Sequence, residues 1–162
     1  MTADSNLDAG SDPLLNIVLY QPEIPGNTGA IGRTCVALGA KLWLVRPLGF
    51  RVDEKTLRRA GLDYWQYLDW EVADHWADLL IRLKPNRLWY FSRFAKKSYT
   101  NIRFVRGDTF VFGAETSGLP TSMTEPNQEW LLRVPTSDKV RSLNLATTVG
   151  VTAFEAARQF AS

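Results

Sequence analysis

Three short polar segments of this 162-residue chain carry residue types that could do chemistry. The first, Ile24-Pro25-Gly26-Asn27-Thr28-Gly29, follows an apolar run and opens a helical pattern. Glycines let a ligand approach the backbone, and a helix N-terminus attracts anions. The glycines at 26, 29 and 32 do not have dinucleotide-fingerprint spacing, and no lysine completes a phosphate loop. Alone, the segment reads most simply as a helix-entry turn. Arg33 follows on the first turns of that helix, either solvated or reaching forward into the loop cleft. The second segment, Phe112-Gly113-Ala114-Glu115-Thr116-Ser117-Gly118-Leu119-Pro120, places an acid and two hydroxyls directly after a strand. Ligands of α/β sheets bind at the carboxyl ends of strands, so Glu115 stands where a site is expected. A capped turn explains the segment equally well. The third runs from Val134 to Leu145 and sets Ser142 and Asn144 at the start of the last helix, where both are also ordinary caps.

Other chemistries find few residues to work with. His75 is the single histidine and Cys35 the single cysteine. No zinc-ligand cluster follows from that pair, and nothing sets His75 beside a serine elbow. Carboxylates are not clustered as metal-assisted phosphate chemistry requires, so no metal is expected. Cys35 lies mid-helix among Thr34, Val36 and Ala37 and reads as packing. An internal disulfide is impossible, and a thiol-poor chain fits the cytoplasm.

The elements that must position these segments follow from periodicity. Short apolar, β-branched or aromatic runs predict strands at 14–20, 40–45, 87–92, 109–112 and 130–134. Asn27 or Thr28 can cap a helix to about Leu38, with Gly39 as its stop. Further helices are predicted at 53–60, with acids first and arginines last, and at 76–83, before Pro85. From Leu145, the residues Val149, Thr152, Ala153, Ala156 and Phe160 share one helical face. Strands alternating with helices give an α/β fold, one domain with a mainly parallel sheet. Residues 1–13 hold three aspartates, no cation and little that is apolar. They predict a disordered tail rather than a secretory signal, ahead of a domain at 14–162.

Residues 14–162 carry 19 basic against 14 acidic residues, a net charge of +5. From Leu79 to Gly107 there is no acid, but Arg82, Lys84, Arg87, Arg93, Lys96, Lys97, Arg103 and Arg106 are present. A second cluster holds Arg51, Lys55, Arg58 and Arg59. Such runs are solvated surface or a face for phosphates, and their density favours phosphates. Trp89, Tyr90 and Phe91 suit a buried strand, leaving Phe94 and Tyr99 as candidates to stack on unpaired bases. No apolar run approaches the ~18 residues of a membrane helix.

Taken in order, IPGNTGAIGRT, PLGF with DEKTLRRAGLDYW, FGAETSGLP, and RVP followed by RSLNLATTVGVTAFEAARQ resemble the SPOUT superfamily of RNA methyltransferases. The likeness spans residues 15–160 and is nearest to the small TrmL-type branch. It implies a C-terminal trefoil knot, a homodimer, S-adenosylmethionine as cofactor and 2′-O-methylation of the wobble nucleotide in the tRNA anticodon region. The alternatives are another tRNA or rRNA position, or an inactive RNA-binding relative. By resemblance, Phe91, Gly113, Val134 and Ser142 fall at cofactor-contacting positions. Asn27, Arg33, Glu115, Ser142 and Asn144 fall in the polar active-site set, with Arg33 activating the ribose oxygen. A guanidinium does not easily lose its proton, so binding phosphate and steadying a forming alkoxide is the easier role. Glu115 and Asn144 would orient groups around cofactor and ribose. Ala114, Ser117 and Val140 depart from the family's usual Pro, Arg and small polar residue.

Overall fold

A computed structural model describes residues 12–53 and 63–161. Seven strands form one sheet: β1 (Asn16–Tyr20), β2 (Lys41–Val45), β3 (Trp70–Ala73), β4 (Leu88–Phe91), β5 (Lys97–Ser98), β6 (Thr109–Phe112) and β7 (Leu131–Arg133). The order is β3-β2-β1-β6-β4-β7-β5, and every pairing is parallel. Among the described residues four α-helices accompany them: α1 (Pro25–Leu38), α2 (Trp76–Leu83), α3 (Thr121–Thr124) and α4 (Leu145–Ala161).

Strand periodicity sorts the core into two layers, because successive side chains point to opposite faces. Ile17, Leu19, Leu42, Leu44, Phe110 and Phe112 face one way and bury Ile31, Cys35 and Leu38 of α1 with Val149, Ala153 and Ala156 of α4. Val18, Trp43, Val45 and Val111 face the other way, against Leu79 of α2 and Met123 of α3. Burial on both faces explains why the central strands read as unbroken apolar runs. Burial also pushes the Cys35 thiol up to about 12, so it acts as a small apolar filler.

Helix α1 begins at Pro25, earlier than its candidate caps. Proline suits the first helical position because its missing N–H would have no intrahelical partner there. Neither Asn27 nor Thr28 caps it; Ile24 is the N-cap residue and makes no side-chain cap bond. Gly39 ends the helix in the left-handed region, φ 72°, with its N–H returned to the last turn. His75 caps α2, its Nδ1 accepting from the Asp78 N–H at 3.1 Å.

Strands β3 and β5 were not legible beforehand, since both are short, polar-interrupted edges. Glu71 of β3 is held there by Lys41 at 2.5 Å and Arg82 at 2.5 Å. The helix expected at 53–60 falls at 54–60 outside the described residues, as does most of the 1–13 tail. No helix among the described residues is long and apolar enough to cross a membrane.

Two features prepare a site. The chain moves outward from β1 to β2 and β3 on one side, while β6, β4 and β7 lie on the other. This reversal leaves a crevice at the carboxyl ends of β1 and β6. After β7, residues of the 134–145 stretch line the same cavity as the loops following β4 and β6, and α4 packs on α1. That passage is compatible with the C-terminal knot the resemblance implies.

Candidate active site

The carboxyl ends of β4, β6 and β7 and the entry to α1 open into one cavity of about 800 Å³. Its inner wall is apolar, with Phe91, Phe112, Leu132 and Val134. Its rim is largely polar and comes from the loops at 92–94, 113–118 and 136–144 and from the entry to α1. Of the eight residues singled out in the sequence, Asn27, Phe91, Gly113, Glu115, Val134, Ser142 and Asn144 line this cavity, and Arg33 does not.

Glu115 ties the loops together. Its Oε1 accepts the Glu23 N–H at 2.9 Å, and its Oε2 accepts the Ile24 N–H at 2.8 Å and the Asn27 side-chain amide at 3.2 Å. The carboxylate therefore satisfies backbone donors at the head of α1, the task usually left to a cap in the same segment. Asn27 passes the connection on, its Oδ1 accepting the Asn144 amide at 3.0 Å. Asn144 in turn accepts the Thr147 N–H at 3.2 Å and starts α4. Three segments spread over 117 residues are thus joined by one hydrogen-bonded chain.

A second contact runs the other way. Glu23 Oε1 accepts the Thr116 N–H at 3.1 Å and the Thr116 hydroxyl at 2.6 Å. The hydroxyl bond, followed by the backbone bond, holds the Glu23 carboxyl below its ordinary range. A depressed carboxylate stabilises the fold above its unfolded value, and the contribution is lost as pH falls through the folded value. The clasp is therefore fully present at neutral pH. Sequence reading missed Glu23 because its partner is 93 residues away and no local pattern marks the pair.

The 113–118 turn is compact. Ala114 and Gly118 form an antiparallel bridge, the Gly118 N–H reaching the Ala114 carbonyl at 2.9 Å, and Gly118 has φ 67°. Gly113 lies directly beneath it, where a Cβ would fall on the backbone of Gly118 and Leu119. Backbone cannot rotate away as a side chain can. The Gly113→Ala variant is expected to lose about 1–3 kcal/mol of stability, the usual cost of overpacking, and most of its ligand affinity. Denaturant unfolding and calorimetry on one preparation check this; a wild-type profile in both would show that the turn yields freely.

Arg33 stands elsewhere. Six residues along α1 from Asn27, it faces about 120° away around the helix. Its guanidinium lies over the Tyr64 ring, 5.7 Å from the centroid. Burial pushes the Tyr64 hydroxyl up to about 12, and it donates to the Gly29 carbonyl. The expected reach into the loop cleft is not made within one chain, because helix geometry turns Arg33 away from the cavity.

The acid-free run is not acid-free in space. Arg82 pairs with Glu71 and Asp78, and Arg87 with Asp108 at 3.0 Å. The cations nearest the cavity are Arg93, Arg133 and Arg141, which line it. Phe94 is exposed, whereas Tyr99 packs on the core. Among the described residues, no group of three or more His, Cys, Asp or Glu could hold a metal ion.

Comparison with known proteins adds to this geometry. Residues 14–154 match the model of the SpoU rRNA Methylase family. A Methylovorus glucosotrophus protein named tRNA (cytidine(34)-2′-O)-methyltransferase is 42% identical over 147 residues, covering 90% of this chain and 96% of its own. A solved structure described as giving structural insights into the 2-OH methylation of C/U34 on tRNA is 46% identical. It superposes with a TM-score of 0.84, covering 90% of this chain and 95% of that one. An AdoMet-bound rRNA methyltransferase from Sinorhizobium meliloti is 26% identical with a TM-score of 0.78, covering 91% of this chain and 57% of its own.

Proposed function

The chain belongs to the SpoU rRNA Methylase family, and on that premise we propose that it transfers a methyl group from S-adenosylmethionine to the 2′-oxygen of the wobble nucleotide of tRNA. The observation that carries this reading is the chain Glu115–Asn27–Asn144 at the rim of the cavity. The names of the relatives at 42% and 46% identity supply the substrate.

The cavity suits the cofactor. Its volume lies within the roughly 300–1,000 Å³ of small-molecule sites. Phe91, Leu132 and Val134 offer an apolar wall for a heteroaromatic ring, and Gly113 and Ser142 stand on the loops around it. Arg133 lines the cavity with a buried Nε that has no partner among the described residues, a donor in want of an acceptor. Bound there, S-adenosylmethionine supplies an electrophilic methyl on a sulfonium.

The chain's own residues then position and exclude. Glu115, accepting three hydrogen bonds, is committed to holding the α1 entry loop. Asn27 and Asn144, fixed by it, set the polar rim over which the ribose must lie. Holding two reactants in a near-attack geometry can supply about 7–11 kcal/mol of a barrier, so such placement is a large part of the catalysis. Arg33 provides a fork for phosphate and for the charge growing on the 2′-oxygen. Since it does not line its own cavity, we place two chains in a homodimer. Val151 and Phe154, exposed on α4, support that pairing. A tRNA substrate is in keeping with a cytoplasmic enzyme.

The test is mass-spectrometric mapping of 2′-O-methyl nucleotides in total RNA, with and without the gene. The expected result is loss of the methyl at the wobble position of a subset of tRNAs. Loss at another tRNA or an rRNA position would redirect the substrate, and no loss anywhere would reject the reading.

A further inference from the structure

We propose that Phe94, backed by Arg93, is a stacking platform for an unpaired RNA base at the mouth of the cavity. The inference rests on the proposed function and specifies how the RNA strand is held.

Phe94 is 77% exposed, the most exposed large apolar side chain among the described residues, and it lines the cavity. It stands on a turn fixed around it. Its own N–H donates to Ser92 Oγ at 3.2 Å, the Ala95 N–H reaches the Ser92 carbonyl at 3.1 Å, and Ala95 is buried. The ring therefore does not face water because the loop is loose. The Arg93 guanidinium lies 4.4 Å from its centroid and covers one side. On the loop after β7, Val140 and Leu143 are also exposed and line the same cavity, as does Arg141. Exposed apolar side chains thus neighbour an arginine on each of these two loops.

That juxtaposition matches one chemistry. An unpaired nucleotide presents a flat apolar base and a phosphate, and proteins hold it by stacking on aromatics with arginine nearby. A duplex keeps its base faces covered by neighbours. A cofactor ring is better served by the buried inner wall of Phe91, Leu132 and Val134. The base on Phe94 is therefore that of the RNA strand, and stacking tolerates any base identity.

The experiment uses the full chain with Phe94→Ala, Phe94→Leu and Phe94→Trp. It measures cofactor affinity by calorimetry, kcat and KM on unmodified tRNA, and fluorescence of an anticodon stem–loop with 2-aminopurine at the wobble position. The Ala and Leu variants are expected to raise KM about 5- to 150-fold, the range for one lost base stack, and to lose the quenching seen with wild type. Trp restores both, and cofactor affinity stays constant throughout. Wild-type KM and quenching in Phe94→Ala would overturn the platform. So would a parallel loss of cofactor affinity, which would put the ring in the cofactor site. Quenching by a wild-type protein that does not methylate would overturn the functional reading while leaving the platform standing.

Discussion

Replacement of Arg33 by alanine is expected to slow methyl transfer about 100- to 1,000-fold, the usual cost of removing one preorganised donor from a developing oxyanion. Cofactor affinity is expected to stay unchanged, because Arg33 does not line the cavity. The guanidinium is exposed on α1 and lies over the Tyr64 ring, 5.7 Å from its centroid. A solvated helix arginine would tolerate the change, so single-turnover methylation separates the two roles. Activity within about threefold of wild type would exclude transition-state stabilisation on the scale argued above. Arg33→Lys is expected to recover little, since an ammonium lacks the planar fork that spans phosphate and oxygen together. Because the side chain faces away from its own cavity, its effect should cross between chains. Mixing Arg33→Ala with Gly113→Ala chains is expected to regain part of the activity that neither has alone. No regain would place Arg33 in service of its own chain, with the RNA bending around α1.

This placement marks where sequence reading stops. The central strands were legible because burial on both faces leaves unbroken apolar runs such as Ile17-Val18-Leu19 and Phe110-Val111-Phe112, whereas the edge strands β3 and β5 have none. The last helix was legible from the spacing of Val149, Ala153 and Ala156. The positions of Glu115 and Asn144 at a strand end and a helix start were legible too, each beside an ordinary turn or cap as the alternative. Their union was not. A bond between Asn144 and Asn27 spans 117 residues and has no local signature. Part of the charge pattern was hidden for the same reason: Arg87 sits in a stretch without acids yet meets Asp108 once β4 and β6 pair. The start of α1 moved because capping came from Glu115, across the sheet, and not from its own segment.

The near-isosteric change Glu115→Gln tests that union most directly. Two oxygens now accept three donors, one at Oε1 and two at Oε2. An amide offers one oxygen and one NH₂, so in either orientation a donor meets a donor. Hydrogen bonds to a charged group are worth about 1.5–3 kcal/mol, and partial exposure here places the stability loss at or below the lower figure. The rate should suffer more. Asn27 loses the contact that sets its amide, and Asn144 follows it; a displacement of about 1 Å in such a site can cost 100-fold. The expected result is a kcat about 100-fold down with a small change in unfolding midpoint. Adding Asn27→Asp gives the new amide an acceptor while keeping one for the Asn144 amide at 3.0 Å. The double variant should therefore regain part of the lost rate, although Asn27→Asp alone sets two carboxylates together and is expected to be poor. A double-mutant cycle measures the coupling free of each residue's separate effect. Additive losses would mean that Glu115 and Asn27 act independently, and the rim would then have to be rebuilt from the cofactor side alone.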